Sequence, residues 1–277
     1  MSGLSANQHR TLLQQALSVK QRFLAMYKSV NAGHVGCSLS CAEILTFLRM
    51  YQMKESDHLL LSKGHAAAAL YSVLAEAKVI SDEAIQTFYR NNTYLAAHPP
   101  TNKLKGIPFA TGSLGHGLSL AAGLGLASKL KSLGKNVYCV TSDGEIDEGA
   151  TWEAALFIAH HQLTNVFWLI DRNQLQGYGR TEQVMKLEPL DQKLEAFGFQ
   201  VKQCDGHDFN AIHEALQFAD GKKPLAVICN TRKGRGWAEY EDQLDSHYLP
   251  MKDVHYEAIG KAIQNDFETA LQKIPTV

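Results

Sequence analysis

Two stretches set the fold class: Asn136-Val-Tyr-Cys-Val-Thr141, running into Ser142-Asp143-Gly144-Glu145, and Asn165-Val-Phe-Trp-Leu-Ile170, running into Asp171-Arg172-Asn173. Each is a short apolar run rich in β-branched and aromatic residues that stops at polar turn residues. That is the pattern of a strand buried on both faces. Between them, Gly149 to His161 reads as one helix. The whole unit takes about 35 residues, the size of a parallel strand–helix–strand crossover. A third run, Leu225-Ala-Val-Ile-Cys-Asn230, ends the same way before Thr231-Arg232-Lys233-Gly234-Arg235-Gly236. In parallel sheets, ligands bind beyond the carboxyl ends of the strands. The polar clusters fall there, so the site is expected there.

Working outward, helical patterns alternate with the strands, which predicts an α/β fold with a parallel sheet flanked by helices. Gln8 to Lys28 carries apolar residues at helical spacing, and His65 to Lys78, His116 to Leu130 and Asp253 to Lys273 read as further helices. Ser40 is expected to cap a helix running to about Met50, with Glu43 as its capping-box partner. The stripe Trp152, Leu156, Ala159 is expected to face the core. With no repeat and no Pro- or Ser-rich linker, a single domain over 1–277 is the simplest division.

Composition removes several function classes. The 27 Lys+Arg against 28 Asp+Glu leave a formal charge of −1, which gives no basic footprint for nucleic acid and no charged face for a membrane. Five cysteines form no even framework and no CxxC pair, and the polar start Met1 to Arg10 lacks the apolar segment of a signal peptide. A reducing, cytoplasmic setting is expected. Gly115-His116-Gly117 lacks the third glycine and preceding strand of a dinucleotide fingerprint.

Asp143 and Asn173 each follow a predicted buried strand, so neighbouring strands would aim both into one crevice. A carboxylate, an amide oxygen and a backbone carbonyl are the hard donors that Mg²⁺ or Ca²⁺ takes. Only one of these donors is charged, so an anion such as a diphosphate is needed to complete the balance. Gly144 and the start of the following helix are suited to a phosphate.

The segment Ser142 to Leu156, with Leu163-Thr-Asn-Val166 and Asp171 to Leu175, resembles the thiamine diphosphate signature of the transketolase family. Glu148-Gly149-Ala150-Thr151-Trp152-Glu153-Ala154 matches its continuation, while Ser142 stands where the family has its first Gly. The resemblance implies a metal held by Asp143, Asn173 and the Leu175 carbonyl. Four further segments are similar to family motifs: Ala32-Gly33-His34-Val35-Gly36, Asp57 to Tyr71 with His65, Ala97-His98-Pro99 ahead of Thr111 to Gly117, and Ser246 to Pro250 with His247. By resemblance, His34, His65, His98 and His247 are the catalytic histidines. His65, His247, Gly112, Leu114, His116, Gly144, Glu145 and Asn173 are implied to bind the cofactor. Imidazole suits proton transfer and hydroxyl binding near neutral pH. His9, His58, His160, His161, His207, His213 and His255 are read as structural.

What the family does is then the expectation: a two-carbon ketol unit moves from a ketose to an aldose, with thiamine diphosphate as electron sink and Mg²⁺ as its anchor. Family members usually carry a pyrimidine-binding domain, which supplies an activating Glu, and a C-terminal domain. No matching segment follows here, so the expected partner is a second subunit carrying both, in an α2β2 assembly that works on sugars or sugar phosphates. Half of a deoxyxylulose phosphate synthase-like enzyme and a degenerate, non-catalytic partner subunit are the alternatives.

Overall fold

Alternation along the strands splits the core in two. Leu59, Leu61, Tyr138, Val140, Leu169 and Val227 join one apolar cluster, while Leu60, Val137, Cys139, Val166, Trp168 and Ile228 join another on the opposite face. The computed structural model describes residues 3–101 and 104–275, so the extreme ends of the expected 1–277 domain lie outside the described residues. The chain forms α1 (Ala6–Val30), α2 (Val35–Phe47), β1 (His58–Leu61), α3 (Ala67–Glu76), α4 (Gly117–Leu130), β2 (Val137–Ser142) and α5 (Gly149–His160). After these come β3 (Val166–Arg172), the short hairpin β4 (Leu175–Gln176) and β5 (Gly179–Arg180), α6 (Leu190–Phe197), β6 (Gln200–Asp205), α7 (Phe209–Leu216), β7 (Leu225–Asn230) and α8 (Asp253–Gln272).

The main sheet has the order β1-β2-β3-β7-β6, and every pairing in it is parallel. Helices α1, α2, α3, α7 and α8 cover one face, and α4, α5 and α6 cover the other. This is the expected α/β architecture. All the strand ends that precede Ser62-Lys63, Asp143, Asn173 and Thr231 therefore open on one edge.

Two expectations are corrected. Helix α2 starts at Val35 rather than at a Ser40 cap, and every one of its residues is buried. A helix enclosed on all sides has no polar face, so its apolar spacing carries no boundary signal. Ser40 lies inside it and donates to the Asp171 carboxylate at 2.6 Å, while Glu43 pairs with Lys20 and His207. In α5 the buried residues are Thr151, Ala154, Ala155 and Ile158, and Leu156 faces out at 56% exposure. Trp152 and Ala159 of the expected stripe do pack, partly buried, against the same cluster as Ala154, Ala155 and Ile158, so only Leu156 departs from it.

Candidate active site

The edge formed by the ends of β2 and β3 builds a small oxygen-lined cradle. Asp143 follows β2 directly and is buried. One carboxylate oxygen accepts from the Gly144 N–H at 2.9 Å, and the other accepts from the Gln174 N–H at 2.6 Å and the Thr181 hydroxyl at 3.1 Å. Burial pushes its pKa up, against the pull of Lys233. Gln174 takes a left-handed φ of 61°, which reverses the chain between Asn173 and Leu175. Asn173 is buried, with Oδ1 accepting from the Leu175 N–H at 3.2 Å and Nδ2 left without a partner. The Leu175 carbonyl accepts from the Lys233 ammonium at 2.5 Å.

This donor set fits the expected metal and diphosphate. One carboxylate, one amide and one carbonyl gather at one sheet edge, the Asn173 amide has an orphaned atom, and a cation already sits on the carbonyl. Among the described residues no three His, Cys, Asp or Glu form a cage of their own. A metal here must therefore be completed by its own anionic ligand and water, as Mg²⁺ usually is.

The surrounding loop residues take roles the sequence did not assign. Glu145 is fully buried, and its carboxylate accepts from the Ser62 hydroxyl, from the Gly115 N–H at 2.8 Å and from the Ser142 N–H at 3.4 Å. Its side chain braces the 112–117 loop. Ser142, the departure from the family glycine, turns its hydroxyl back to accept from the Glu145 N–H at 3.2 Å, so it caps the turn locally. Gly144 is required by packing, because a Cβ there would lie 2.7 Å from the Gln176 side chain. His116 is exposed, with Nδ1 near the Ser113 and Leu114 carbonyls, so it and Leu114 hold the loop's shape. Gly112 lies against His98, whose ring would be 3.1 Å from an added Cβ. His98 itself stands exposed at the rim.

Three imidazoles meet beside the cradle. The His34 ring centroid lies 5.6 Å from that of His65 and 5.5 Å from that of His247, and His65 and His247 are 5.6 Å apart. Two glycines allow this. A Cβ on Gly33 would fall 2.1 Å from the Tyr248 carbonyl oxygen, and one on Gly36 would fall 2.4 Å from that of Ser246. The short helix Asp245–Tyr248 can thus press its backbone onto the start of α2. His34 has a left-handed φ of 69° at that start, a conformation costing a non-glycine residue about 1–2 kcal/mol.

Burial, followed by the charges of His98, Lys233 and Lys63, lowers the pKa of His34 to about 4. Burial and then Lys233 lower His247 to about 2, and burial with Lys63 and Lys233 holds His65 well below its usual value. All three are neutral at pH 7. The ammonium of Lys233 donates to His247 Nδ1 at 2.8 Å, so that nitrogen accepts and Nε2 carries the hydrogen.

The depressed values fix a sign for stability. In the unfolded chain these histidines bind protons below about pH 6.5, whereas the folded chain resists them. Their contribution is therefore full above pH 6.5 and is lost as pH falls towards the folded values. Replacing His34 and His247 by Asn should flatten the fall in urea-melt stability between pH 6.5 and 5. The expected relief is about 1 kcal/mol per histidine, and parallel curves for variant and wild type would overturn this reading.

The remaining histidines stand apart. His207 pairs with Glu43 at 3.1 Å and accepts the Arg232 N–H at 3.0 Å, while His213 is buried against Phe47 and Tyr51. Two residues that the sequence left without a role join the site. Tyr248 lies half exposed with its ring 4.4 Å from that of His247 and 5.8 Å from that of His34, and its hydroxyl presses on Gly177. Lys63 is fully enclosed and paired with Asp171 beneath the imidazoles. Its sequence signal was its place in the Asp57 to Tyr71 segment, directly after the apolar run Leu59-Leu60-Leu61.

Residues 13–272 match the family described as transketolase, thiamine diphosphate binding domain. The chain belongs to the transketolase family. It is 36% identical over 266 residues to one of the subunits of apulose-4-phosphate transketolase from Actinobacillus succinogenes, covering 92% of this chain and 96% of that protein. It is also 36% identical over 272 residues to the 6-deoxy-6-sulfo-D-fructose transketolase subunit SqwG of a Clostridium species, covering 94% of this chain and 99% of that protein. The crystal structure of transketolase from Campylobacter jejuni superposes with a TM-score of 0.83 at 28% identity, covering 94% of this chain and 46% of that one. The transketolase resemblance carried by the cradle and histidine motifs thus extends over nearly the whole chain. No helix among the described residues is long and apolar enough to cross a membrane.

Proposed function

We propose that the chain, as one domain, is the N-terminal subunit of a two-polypeptide, cytoplasmic transketolase that moves a two-carbon ketol unit from a ketose to an aldose. The observation that carries this reading is a pair of hydrogen bonds. Lys233 touches both the Leu175 carbonyl of the cradle and Nδ1 of His247. The metal-type oxygens and the imidazoles therefore share one pocket, with diphosphate-sized chemistry at one end and hydroxyl-binding chemistry at the other.

In this reading Asp143, Asn173 and the Leu175 carbonyl hold Mg²⁺ or Ca²⁺, which anchors the diphosphate of thiamine diphosphate. When bound, the cofactor supplies the electron sink for carbon–carbon cleavage. The protein's own work is orientation and proton handling. Neutral His34 and His65 each offer one donor and one acceptor, a pattern that matches sugar hydroxyls, while His247, whose Nδ1 accepts from Lys233, offers its Nε2–H as a donor. His98, at the rim beside Gly112, is placed to meet the far part of a sugar chain. Because burial keeps His34 and His65 unprotonated, each can accept a hydroxyl proton without first losing one of its own.

The second subunit is part of the proposal. It would carry the pyrimidine-binding and C-terminal domains, in an α2β2 assembly. The near-complete match to proteins that are themselves named as transketolase subunits supports a divided enzyme. The substrates would be a ketose and an aldose, free or phosphorylated. The purified chain, given thiamine diphosphate, Mg²⁺ and sugar phosphates, is expected to show no ketol transfer in a coupled assay. Adding the cognate second subunit should restore turnover, and substantial turnover by the chain alone would sink the two-subunit reading.

A further inference from the structure

Tyr248 stands where the pocket meets the outside. Its backbone is fixed, because its carbonyl oxygen fills the space that a side chain on Gly33 would take, 2.1 Å from that Cβ position. The phenol then reaches across to another element. Its ring lies 4.4 Å from that of His247 and 5.8 Å from that of His34, and its hydroxyl lies against Gly177, where a Cβ would be 2.0 Å away. Gly177 sits in the turn between β4 and β5, the hairpin that also carries Leu175. The side chain therefore spans from the imidazoles to the hairpin of the cradle, as a bar across the pocket mouth.

Two observations show a side chain with capacity to spare. Tyr248 stays 50% exposed although two imidazoles and the hairpin pack on it. Its hydroxyl has no hydrogen-bond partner among the described residues. Burial, and then the neighbouring Tyr178, raises its pKa, so the hydroxyl keeps its proton and can donate. A flat apolar face with a donor at its far end suits a carbon chain that bears oxygen substituents. We propose that Tyr248 is a specificity-determining residue: its ring stacks on the part of the ketose beyond the transferred two-carbon unit, and its hydroxyl donates to an oxygen there. This rests on the ketol-transfer reading above and deepens it. The transferred unit, held among the histidines, makes no contact with the phenol in this arrangement, so Tyr248 acts on the choice of sugar and not on the reacting atoms.

The test uses the assembled two-subunit enzyme and two donors that deliver the same two-carbon unit. Hydroxypyruvate carries only a carboxylate beyond that unit. The second donor is whichever of xylulose, fructose and their phosphates the wild type uses best, and it carries a chain. Tyr248→Ala should lower kcat/KM for the ketose by roughly tenfold or more, mainly through KM, and leave hydroxypyruvate within about twofold. Tyr248→Phe keeps the ring and the packing, and should lose about threefold or more with the ketose alone. Gly177→Ala pushes the ring aside without altering it, so it should reproduce the donor-dependent loss even if Tyr248→Ala fails to fold. Equal losses with both donors, or none with either, in Tyr248→Phe and Gly177→Ala would overturn the Tyr248 proposal and leave ketol transfer standing. A wild-type pair that turns over none of these donors would overturn both.

Discussion

Asp143→Asn is expected to lower Mg²⁺-dependent thiamine diphosphate affinity by roughly two to three orders of magnitude and to abolish turnover of the two-subunit enzyme. Asp143 is the only carboxylate among the three proposed metal donors, the others being an amide and a backbone carbonyl. Removing its charge leaves a divalent ion facing neutral oxygens only, which suffice for hydration but not for tight binding. The ligand-free fold should tolerate the change. Burial already pushes the Asp143 carboxyl towards its neutral form, and an amide oxygen can still accept from the Gln174 N–H or the Gly144 N–H. Calorimetry on wild type and variant, with a urea melt of each, separates the two effects. A variant that melts like wild type and also binds the cofactor like wild type would remove Asp143 from the metal site.

The convergence of Asp143 and Asn173 at one sheet edge was legible because it obeys a simple rule. Parallel neighbouring strand runs ended by polar residues put Asp143 and Asn173 at the same edge, and the metal role given to them is a proposal from the chemistry of hard donors. The histidine cluster was legible only by resemblance. His34, His65 and His247 lie in segments far apart in sequence, and nothing in their local spacing says that their rings meet. Other features were hidden for physical reasons. Helix α2 is buried all round, so its start at Val35 left no amphipathic edge. In α5 the inward face centres on Ala154, Ala155 and Ile158 with Trp152 and Ala159 at its margins, so of the expected stripe only Leu156 turns outward. Strand β6 is a half-exposed edge whose polar residues look like a loop. Glu145 reads as a site acid in the sequence, yet it spends its lone pairs on Ser62, Gly115 and Ser142.

Asp171 is the sharpest case, because it sits among the apparent ligand residues and acts instead as the brace behind them. Its side chain is fully enclosed, as is that of Lys63. The carboxylate accepts from Lys63, from Ser40 at 2.6 Å and from the Thr231 hydroxyl, and Lys63 also donates to the Cys37 carbonyl at 3.0 Å. Those partners belong to α2, to the turn before α3, to β3 and to the turn after β7. The same segments carry His34, His65 and Lys233. Burial would push Asp171 up, but Lys63 holds it below the ordinary carboxylate range. Its contribution is thus full above the unfolded carboxylate pKa and is lost only as pH falls through the lower folded value.

Lys63→Met leaves that carboxylate buried without its cation, so we expect a loss of about 3–5 kcal/mol in urea-melt stability near pH 7. The double change Lys63→Met with Asp171→Leu should recover most of it, since apolar pairs of similar volume replace buried ion pairs at little cost. A loss below about 1 kcal/mol for the single variant would mean that water reaches the pair and that it is no brace. Recovery in the double variant carries a second consequence. If the pair acts only through stability, the double variant binds thiamine diphosphate like wild type. If it also sets the register of the four segments, stability returns while cofactor affinity does not. The enclosed geometry, with Thr231 left without its acceptor in the double variant while Ser40 keeps only the Cys37 carbonyl of its own helix, favours the second outcome.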